Sequence, residues 1–172
     1  AVAAFSPAYF ENKQIKQHDT LEAHGSAQEI KEYREKTGDE ALWTNSMFSG
    51  MPAYLISIQF SGEIIKNIFN QIQYFFPHPA GLALIQFLCF YILLLSYGLK
   101  PLYAAIGAIG FGLASFTFIS IFAGHNNKVK AIGYAPLLLA GINYVFRKKY
   151  ALGFVVTALA VALEIGSNHY QI

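Results

Sequence analysis

Three short clusters contain the polar side chains with the chemistry to move a proton or hold a phosphate. Asp19 has a carboxylate that can accept a proton from a hydroxyl group within hydrogen-bond reach. Lys128 and Lys130 carry ammonium groups, which suit the oxygens of a phosphate. Glu164 adds a second carboxylate at the end of an apolar stretch. The clusters are residues 17–19, residues 125–128 with Lys130 just beyond them, and Glu164 with residues 167–171.

Glu164 stands apart from the other acidic residues. Nine of the ten Asp and Glu residues lie between Glu11 and Glu63, and Glu164 is the only one in the 109 residues that follow. A carboxylate inside a membrane is energetically unfavourable, so its presence there favours a functional role with a charged partner. The candidate partners in the sequence are Lys128, Lys130, His125 and His169.

The composition favours a membrane protein over a soluble domain. Hydrophobic residues make up 55% of the 172 residues and charged residues only 13%, which is more apolar than an ordinary soluble domain of this length. The net charge of +2 and the lack of a dense basic face argue against nucleic-acid binding. The single cysteine, Cys89, lies in an apolar stretch and excludes both a disulfide framework and a thiolate metal site.

The order of polar and apolar segments predicts an all-α, polytopic integral membrane helix bundle with a large extracytoplasmic first loop. Residues 1–10 resemble the end of a truncated first transmembrane helix, so the chain is expected to be a fragment of a longer protein. Residues 11–79 would form the loop, and residues 80–172 transmembrane hairpins. The predicted spans are residues 80–99, 102–123, 131–146 and 151–165, with a polar loop at 124–130.

A short helix is predicted early in the first loop. Ser26 and Glu29 have the spacing of a capping box, in which each side chain bonds the backbone of the other residue. The helix should cover residues 27–37 and end at Gly38 in the left-handed conformation.

The rest of the first loop is predicted to lie near the membrane interface. The stretch 42–54 is rich in aromatic and turn-forming residues, and Trp43, Phe48 and Tyr54 suit the headgroup layer. Apolar residues at helical spacing then predict an amphipathic helix at 62–76 that lies in the membrane plane.

Basic residues in short loops predict the orientation. Lys and Arg near the ends of spans accumulate on the cytoplasmic side. Lys100 and the turn at 147–149 carry four basic residues, against two in the loop at 124–130. The first loop is therefore predicted to lie outside the cytoplasm. This topology would bring the three polar clusters to one non-cytoplasmic surface, where they suit a substrate with a lipid tail and an anionic head.

The candidate site residues also have structural interpretations. Asp19 could cap the helical stretch that follows it, and His125 with Asn126 could satisfy backbone groups at helix ends. Lys128 and Lys130 could extend to lipid headgroups without forming a dedicated site.

A metal site is left open by the sequence. Four histidines could join Asp19 or Glu164 around zinc, but none falls in a recognised ligand spacing. No cofactor is predicted, and a divalent metal remains an alternative. The four histidines are His18, His24, His125 and His169.

Several sequence phrases resemble the YfhO family of bacterial polytopic membrane proteins. They are Gln-His-Asp at 17–19, Leu-Trp-Thr-Asn-Ser-Met-Phe-Ser-Gly-Met-Pro-Ala-Tyr at 42–54, Gly-His-Asn-Asn-Lys-Val-Lys at 124–130 and Asn-His-Tyr-Gln at 168–171. The resemblance covers essentially the whole chain, but only an N-terminal part of what such proteins contain. It implies a GT-C type glycosyltransferase of the bacterial cytoplasmic (inner) membrane. Its donor would be a polyprenyl-phosphate sugar lipid and its acceptor an envelope glycan or lipid.

The resemblance also implies roles for the polar clusters. Asp19 matches by position the acidic residue of the first outer loop that commonly serves as catalytic base in such enzymes. His125, Lys128 and Lys130 would meet the leaving lipid phosphate, with Asn126 beside them. The residues implied to bind sugar or acceptor hydroxyls are Glu164, Asn168, His169 and Gln171. The sequence has no plain Asp-x-Asp motif, which leaves metal dependence open.

Two other functions remain open. A transporter or flippase of an anionic lipid would use the same charged residues, but it should carry polar residues along the depth of its spans. A non-catalytic envelope assembly subunit would bind a protein partner through the large loop, and its three polar clusters would stay apart.

Overall fold

The computed structural model describes residues 17–57, 64–74 and 78–167. The described chain is mostly α-helical, which confirms the all-α class. It divides into two compact units, and each is described by itself. The first contains the described residues 17–57, and the second contains residues 64–74 and 78–167.

The first unit consists of two helices followed by a small hairpin. Helix α1 covers His18–Ser26 and helix α2 covers Gln28–Thr37. Strands β1 (Trp43–Thr44) and β2 (Met51–Pro52) pair antiparallel and lead into a 3-10 turn at Ala53–Leu55. The small core of this unit is formed by Ile30, Ala41 and Ala53.

The capping box predicted at Ser26 and Glu29 is wrong. The Ser26 hydroxyl donates to the carbonyls of Glu22 and Ala23, so it belongs to the last turn of α1. Ala27 is the N-cap residue of α2 and provides no side-chain cap. The predicted end of α2 is confirmed, because Gly38 follows it with φ 79° in the left-handed region.

Glu29 connects α2 to the hairpin instead of capping its own helix. Its carboxylate accepts hydrogen bonds from the Thr44 hydroxyl at 2.5 Å and from the Asn45 backbone N–H at 3.0 Å. The hydrogen bond from Thr44, followed by the one from Asn45, lowers the pKa of Glu29 because both stabilise the charged carboxylate. The Ser46 hydroxyl also donates to the Ser26 carbonyl, so the hairpin contacts both helices of the unit.

The second unit is a set of apolar helices. Helix α7 packs most extensively against α8 and α4, while α4 also packs against α5. Helix α3 contacts α4 and α8. It confirms the predicted amphipathic helix over the part of 62–76 that the structure describes. The helices are α3 (Ile64–Tyr74), α4 (Ala80–Ser96), α5 (Pro101–Gly112), α6 (Ser115–Ala123), α7 (Asn126–Phe146) and α8 (Tyr150–Gly166).

The apolar run predicted as one span at 102–123 is broken. Helix α5 ends at Gly112, and α6 begins at Ser115 with a bend of 44° between them. Helix α5 packs on α4, where the rings of Phe90 and Phe111 stack with centroids 4.3 Å apart, whereas α6 packs on α7. The bend therefore lets one apolar run pack against two different neighbours.

The polar loop predicted at 124–130 is mostly helical. Only Gly124 and His125 connect α6 to α7, and Gly124 makes the reversal with φ 100°. Helix α7 begins at Asn126, five residues before the predicted span at 131–146. The predicted second hairpin is present as α7 and α8, but α7 is longer than expected.

Hydrogen bonds between side chains fix how α4 and α7 pair. Gln86, near the start of α4, donates to the Val129 carbonyl near the start of α7 at 3.3 Å. At the other end, Asn143 of α7 donates to the Ser96 hydroxyl at 3.0 Å. The two helices therefore run parallel. The α5–α6 segment carries the chain from the end of α4 back to the start of α7. Arg147 closes this second end by donating to the Tyr97 carbonyl at 3.0 Å.

By length and hydropathy, α7 is able to cross a bilayer, and α5 with α6 provides a second crossing if the bent pair acts as one span. Helices α4 and α8 are apolar but shorter, with 17 residues each. The buried core helix of a soluble protein meets the same criterion. The all-α fold is thus observed, and the polytopic membrane arrangement remains a prediction.

Candidate functional site

Asp19 lies in the first turn of α1, beside two other side chains able to bind a metal. The ligand atoms of His18, Asp19 and Glu22 lie within 4.8 Å of one another. His18 Nδ1 is 3.3 Å from Glu22 Oε1, as expected for residues four apart on a helix. His18 and Glu22 are exposed and Asp19 is half-buried. The group could bind a divalent cation and leave other coordination positions open to substrate or water.

The N-cap interpretation of Asp19 is wrong. Gln17 occupies the N-cap position of α1, and Asp19 is inside the helix. Gln17 is buried, and its side-chain oxygen accepts a hydrogen bond from the Thr20 hydroxyl at 2.9 Å. Asp19 therefore has its carboxylate in the first turn of the helix, at the positive end of the helix dipole.

Of the four histidines considered for zinc, His18 is the only one in the group around Asp19 within the described residues. His24 lies at the other end of α1, where its Nδ1 is 3.3 Å from the Lys31 ammonium, and it is not part of the group around Asp19. Glu22 was missed by the sequence analysis. Its spacing from His18 was the available signal, because residues four apart lie on one face of a helix.

A second polar group lies at the beginning of α7. His125 is the N-cap residue without a side-chain cap, and its carbonyl accepts the Val129 N–H at 3.1 Å. Lys128 and Lys130 lie in the first turns of α7 and are half-buried. The Lys128 ammonium is 5.3 Å from the centroid of the Phe116 ring, a cation–π contact that holds it near the start of α6. Asn126, also half-buried, is the first residue of α7.

The packing of α7 on α8 brings Glu164 to the same end of the bundle. Gly141 faces Thr157 and Gly153 faces Val145, so the two helices run antiparallel in close contact. Continuing this register places Glu164 level with Tyr134, and these two side chains are near enough to interact electrostatically. Lys130 is four residues from Tyr134 toward the start of α7, a rise of about 6 Å.

Three of the four partners predicted for Glu164 lie within the described residues, and none of these three forms an ion pair with it. Within the described residues 78–167, Glu164 forms no ion pair with Lys128, Lys130 or His125. His169 lies outside the described residues. Glu164 therefore shares one end of the α7–α8 pair with the lysines, at a different depth and without a direct charge pair.

His78 is a further titratable residue near this end that the sequence analysis missed. It precedes α4 and is exposed by surface area. Partial burial lowers the pKa of His78, and the positive charge of Lys130 lowers that pKa further. His78 and Lys130 are therefore within electrostatic range of each other. Its position between two prolines immediately before an apolar run was the only sequence signal.

The structure therefore brings together part of the predicted site. His125, Asn126, Lys128, Lys130 and Glu164 lie at one end of the second unit. Asp19 belongs to the first unit, so its approach to the others remains a prediction. Three further predicted residues lie outside the described residues: Asn168, His169 and Gln171.

No protein-family description, curated protein or solved structure matches this chain. The resemblance to the YfhO family accordingly remains a prediction carried by the sequence phrases.

Proposed function

We propose that this chain is part of a GT-C type membrane glycosyltransferase of the bacterial inner membrane. It moves a sugar from a polyprenyl-phosphate donor to an envelope glycan or lipid outside the cytoplasm. Asp19 takes the proton of the acceptor hydroxyl as the acceptor oxygen bonds to the anomeric carbon of the sugar. The bond between that carbon and the phosphate oxygen breaks, and the bond's electron pair stays on the lipid phosphate.

The outer surface of the second unit supports the membrane part of this proposal. Large apolar side chains are exposed along α5, α6, α7 and α8, including Ile106, Ile119, Leu139 and Phe154. Soluble monomers rarely expose continuous apolar surfaces of this kind. Between His78 and Ser167, the only acidic side chain is Glu164. Such a surface suits the hydrocarbon of a bilayer.

The basic residues at the opposite end of the bundle support the orientation. Arg147 contacts the Tyr97 carbonyl, so the α7–α8 turn and the α4–α5 connection with Lys100 share one end. Lys148 and Lys149 lie in the same turn. The positive-inside tendency assigns this end to the cytoplasm and the opposite end, with Lys128 and Lys130, to the outer face.

The register of α7 and α8 is the single observation that carries the site proposal. It gathers Lys128, Lys130 and Glu164 at one end of an apolar bundle, where a lipid phosphate can approach from the bilayer. The ammonium groups would stabilise the negative charge that develops on the leaving phosphate. The Glu164 carboxylate would accept hydrogen bonds from sugar hydroxyls.

The buried polar residues favour an enzyme over a transporter. Gln86 and Thr117 bond each other at 2.7 Å, and the Asn143–Ser96 pair is likewise satisfied within the protein. The core between these two pairs is apolar and contains Cys89, Leu137 and Ala160 among others. A path for a charged headgroup would need polar side chains at this depth.

The test is sugar transfer by the Asp19→Asn variant of the full-length protein, compared with Glu35→Gln. Glu35 is an exposed acid on α2 of the same unit and serves as the matched control. We expect Asp19→Asn to lose about 10²–10⁴-fold in turnover, the usual contribution of a general base, with membrane insertion unchanged. Glu35→Gln should retain activity.

Normal turnover by Asp19→Asn would remove Asp19 from the mechanism. An unchanged profile of lipid-linked sugars in cells that lack the protein would contradict glycosyl transfer and favour an assembly subunit. The build-up of one lipid-linked sugar in those cells would support the enzyme.

A further inference from the structure

The turn at the tip of the β1–β2 hairpin adopts an unfavourable backbone conformation. The Gly50 N–H donates to the Met47 carbonyl at 2.8 Å, which closes a four-residue turn. Both central residues are left-handed, Phe48 with φ 52° and Ser49 with φ 62°. Turns with two positive φ angles normally use Asn and Gly there. A bulky residue such as Phe in this conformation is an outlier.

This conformation holds an aromatic side chain away from the rest of its unit. Phe48 is 82% exposed, and Leu42 and Trp43 of the same hairpin are 78% and 57% exposed. Trp43 lies against Gly50, where a Cβ atom would be 2.7 Å from the indole nitrogen. An unfavourable turn that presents apolar side chains, without packing them inside the unit, points to a binding role for the tip.

Charge is segregated within the first unit. Every Asp, Glu, Lys and Arg of the described residues 17–57 lies between Asp19 and Glu40. That segment carries seven acidic and three basic residues, whereas 41–57 carries none. The hairpin therefore matches a surface without net charge, and the acidic helices would be repelled by an anionic one.

We infer that the hairpin tip, formed by Leu42, Trp43, Met47 and Phe48, inserts into the boundary between headgroups and acyl chains of a zwitterionic bilayer. Trp is favoured in this layer because its ring is apolar and its N–H can bond to water or headgroups. The polar residues Asn45, Ser46 and Ser49 beside the apolar ones suit the same layer. Insertion depends on burial of apolar area and needs no basic residue. This inference is independent of sugar transfer.

Trp43 makes the inference directly testable, because it is the only tryptophan of the chain. The full chain is reconstituted in phosphatidylcholine vesicles that contain spin-labelled lipid, and Trp43 fluorescence is measured. A label near the top of the acyl chain should quench about twofold more strongly than one near the methyl end, since the indole resides in the interfacial layer. Added salt should leave the quenching unchanged.

Two variants isolate the tip from the rest of the unit. Phe48→Asp should reduce quenching by the shallow lipid label at least about twofold and increase quenching by iodide, because a charge opposes insertion. Asp tolerates the left-handed region better than Phe, so the turn is retained. Leu21→Asp is the matched control, since Leu21 is exposed on α1 and outside the tip. Trp43 fluorescence of this variant should be quenched as strongly as that of the unaltered chain.

Three results would overturn the inference. In the first, Trp43 of the unaltered chain is open to iodide and insensitive to spin-labelled lipid. In the second, Trp43 is shielded from both quenchers, which would mean that a protein surface covers the tip. In the third, Leu21→Asp lowers lipid quenching as much as Phe48→Asp does.

Discussion

Replacement of Gly141 by Ala should weaken the contact between α7 and α8 on which the candidate site depends. A Cβ atom at position 141 would lie 2.8 Å from the Thr157 backbone nitrogen and 3.1 Å from its Cα. These are backbone atoms and cannot rotate away. Reaching an ordinary contact of 3.4 Å requires the helices to separate by about 0.6 Å at this point.

The expected size of the effect follows from two opposing contributions. Overpacking a close helix contact costs about 1–3 kcal/mol, while replacing Gly by Ala inside a helix returns about 0.5–1 kcal/mol. We therefore expect Gly141→Ala to lower the free energy of unfolding by about 1–2 kcal/mol. Gly110 is the matched control, because no atom lies within 4 Å of a Cβ atom added there. Gly110→Ala should be neutral or stabilising by up to about 1 kcal/mol.

The measurement is unfolding of the chain in detergent micelles by titration with sodium dodecyl sulfate, followed by circular dichroism. Parallel curves for the two variants isolate the contact from the helix propensity of alanine. Equal stability of Gly141→Ala and Gly110→Ala would refute the close approach of α7 and α8. It would also remove the register that brings Glu164 to the end of the bundle with Lys128 and Lys130.

Two further predictions concern the buried network and the pH response. Gln86 is 1% exposed and accepts a hydrogen bond from the Thr117 hydroxyl. Gln86→Leu should therefore lower the free energy of unfolding by about 0.5–2 kcal/mol. Thr117→Val should cost less in the Gln86→Leu background than alone, and additive costs in the double-mutant cycle would contradict the bond. The pKa of His78 in the folded state is lowered from its ordinary value of 6.5. At a pH between the folded-state and unfolded-state pKa, the unfolded chain therefore binds more protons than the folded chain. Unfolding free energy should therefore fall as pH drops below 6.5, and His78→Asn should remove this dependence, as micelle titrations at neutral and mildly acidic pH would check.

Much of the helical arrangement could be predicted from the order of apolar runs. The runs that became α4, α7 and α8 are long and apolar, and their length alone favours helices over strands. Gly38 ended α2 as predicted, because a left-handed residue after a helix is a local requirement that glycine meets. The predicted amphipathic helix likewise follows from periodicity alone.

Boundaries that depend on distant contacts could not be predicted. The spacing of Ser26 and Glu29 matches a capping box, but Glu29 bonds Thr44, fifteen residues away, and local spacing cannot anticipate that contact. The bend between α5 and α6 occurs at Leu113 and Ala114, neither of which breaks helices. The two helices on either side of it pack against different neighbours, which local sequence does not show.

The candidate site was likewise predictable only in part. Alternation of helix direction places Lys128 and Glu164 at one end, as expected. The depth difference between Glu164 and the lysines follows from the α7–α8 register, which glycine contacts set and the sequence does not reveal. His78 approaches Lys130 across more than fifty residues of sequence, so no local pattern could have paired them.

The start of α6 has a consequence for solvation. The first amide groups of any α-helix have no acceptor within that helix, and hydrocarbon offers none. The Thr117 N–H donates to the Ala114 carbonyl at 2.9 Å. In a bilayer, the N–H groups of Ser115 and Phe116 would therefore need water or another polypeptide segment as their acceptor. Lys128 holds its ammonium near Phe116 at this position. The bend between α5 and α6 thus marks a point where water would enter an otherwise apolar surface.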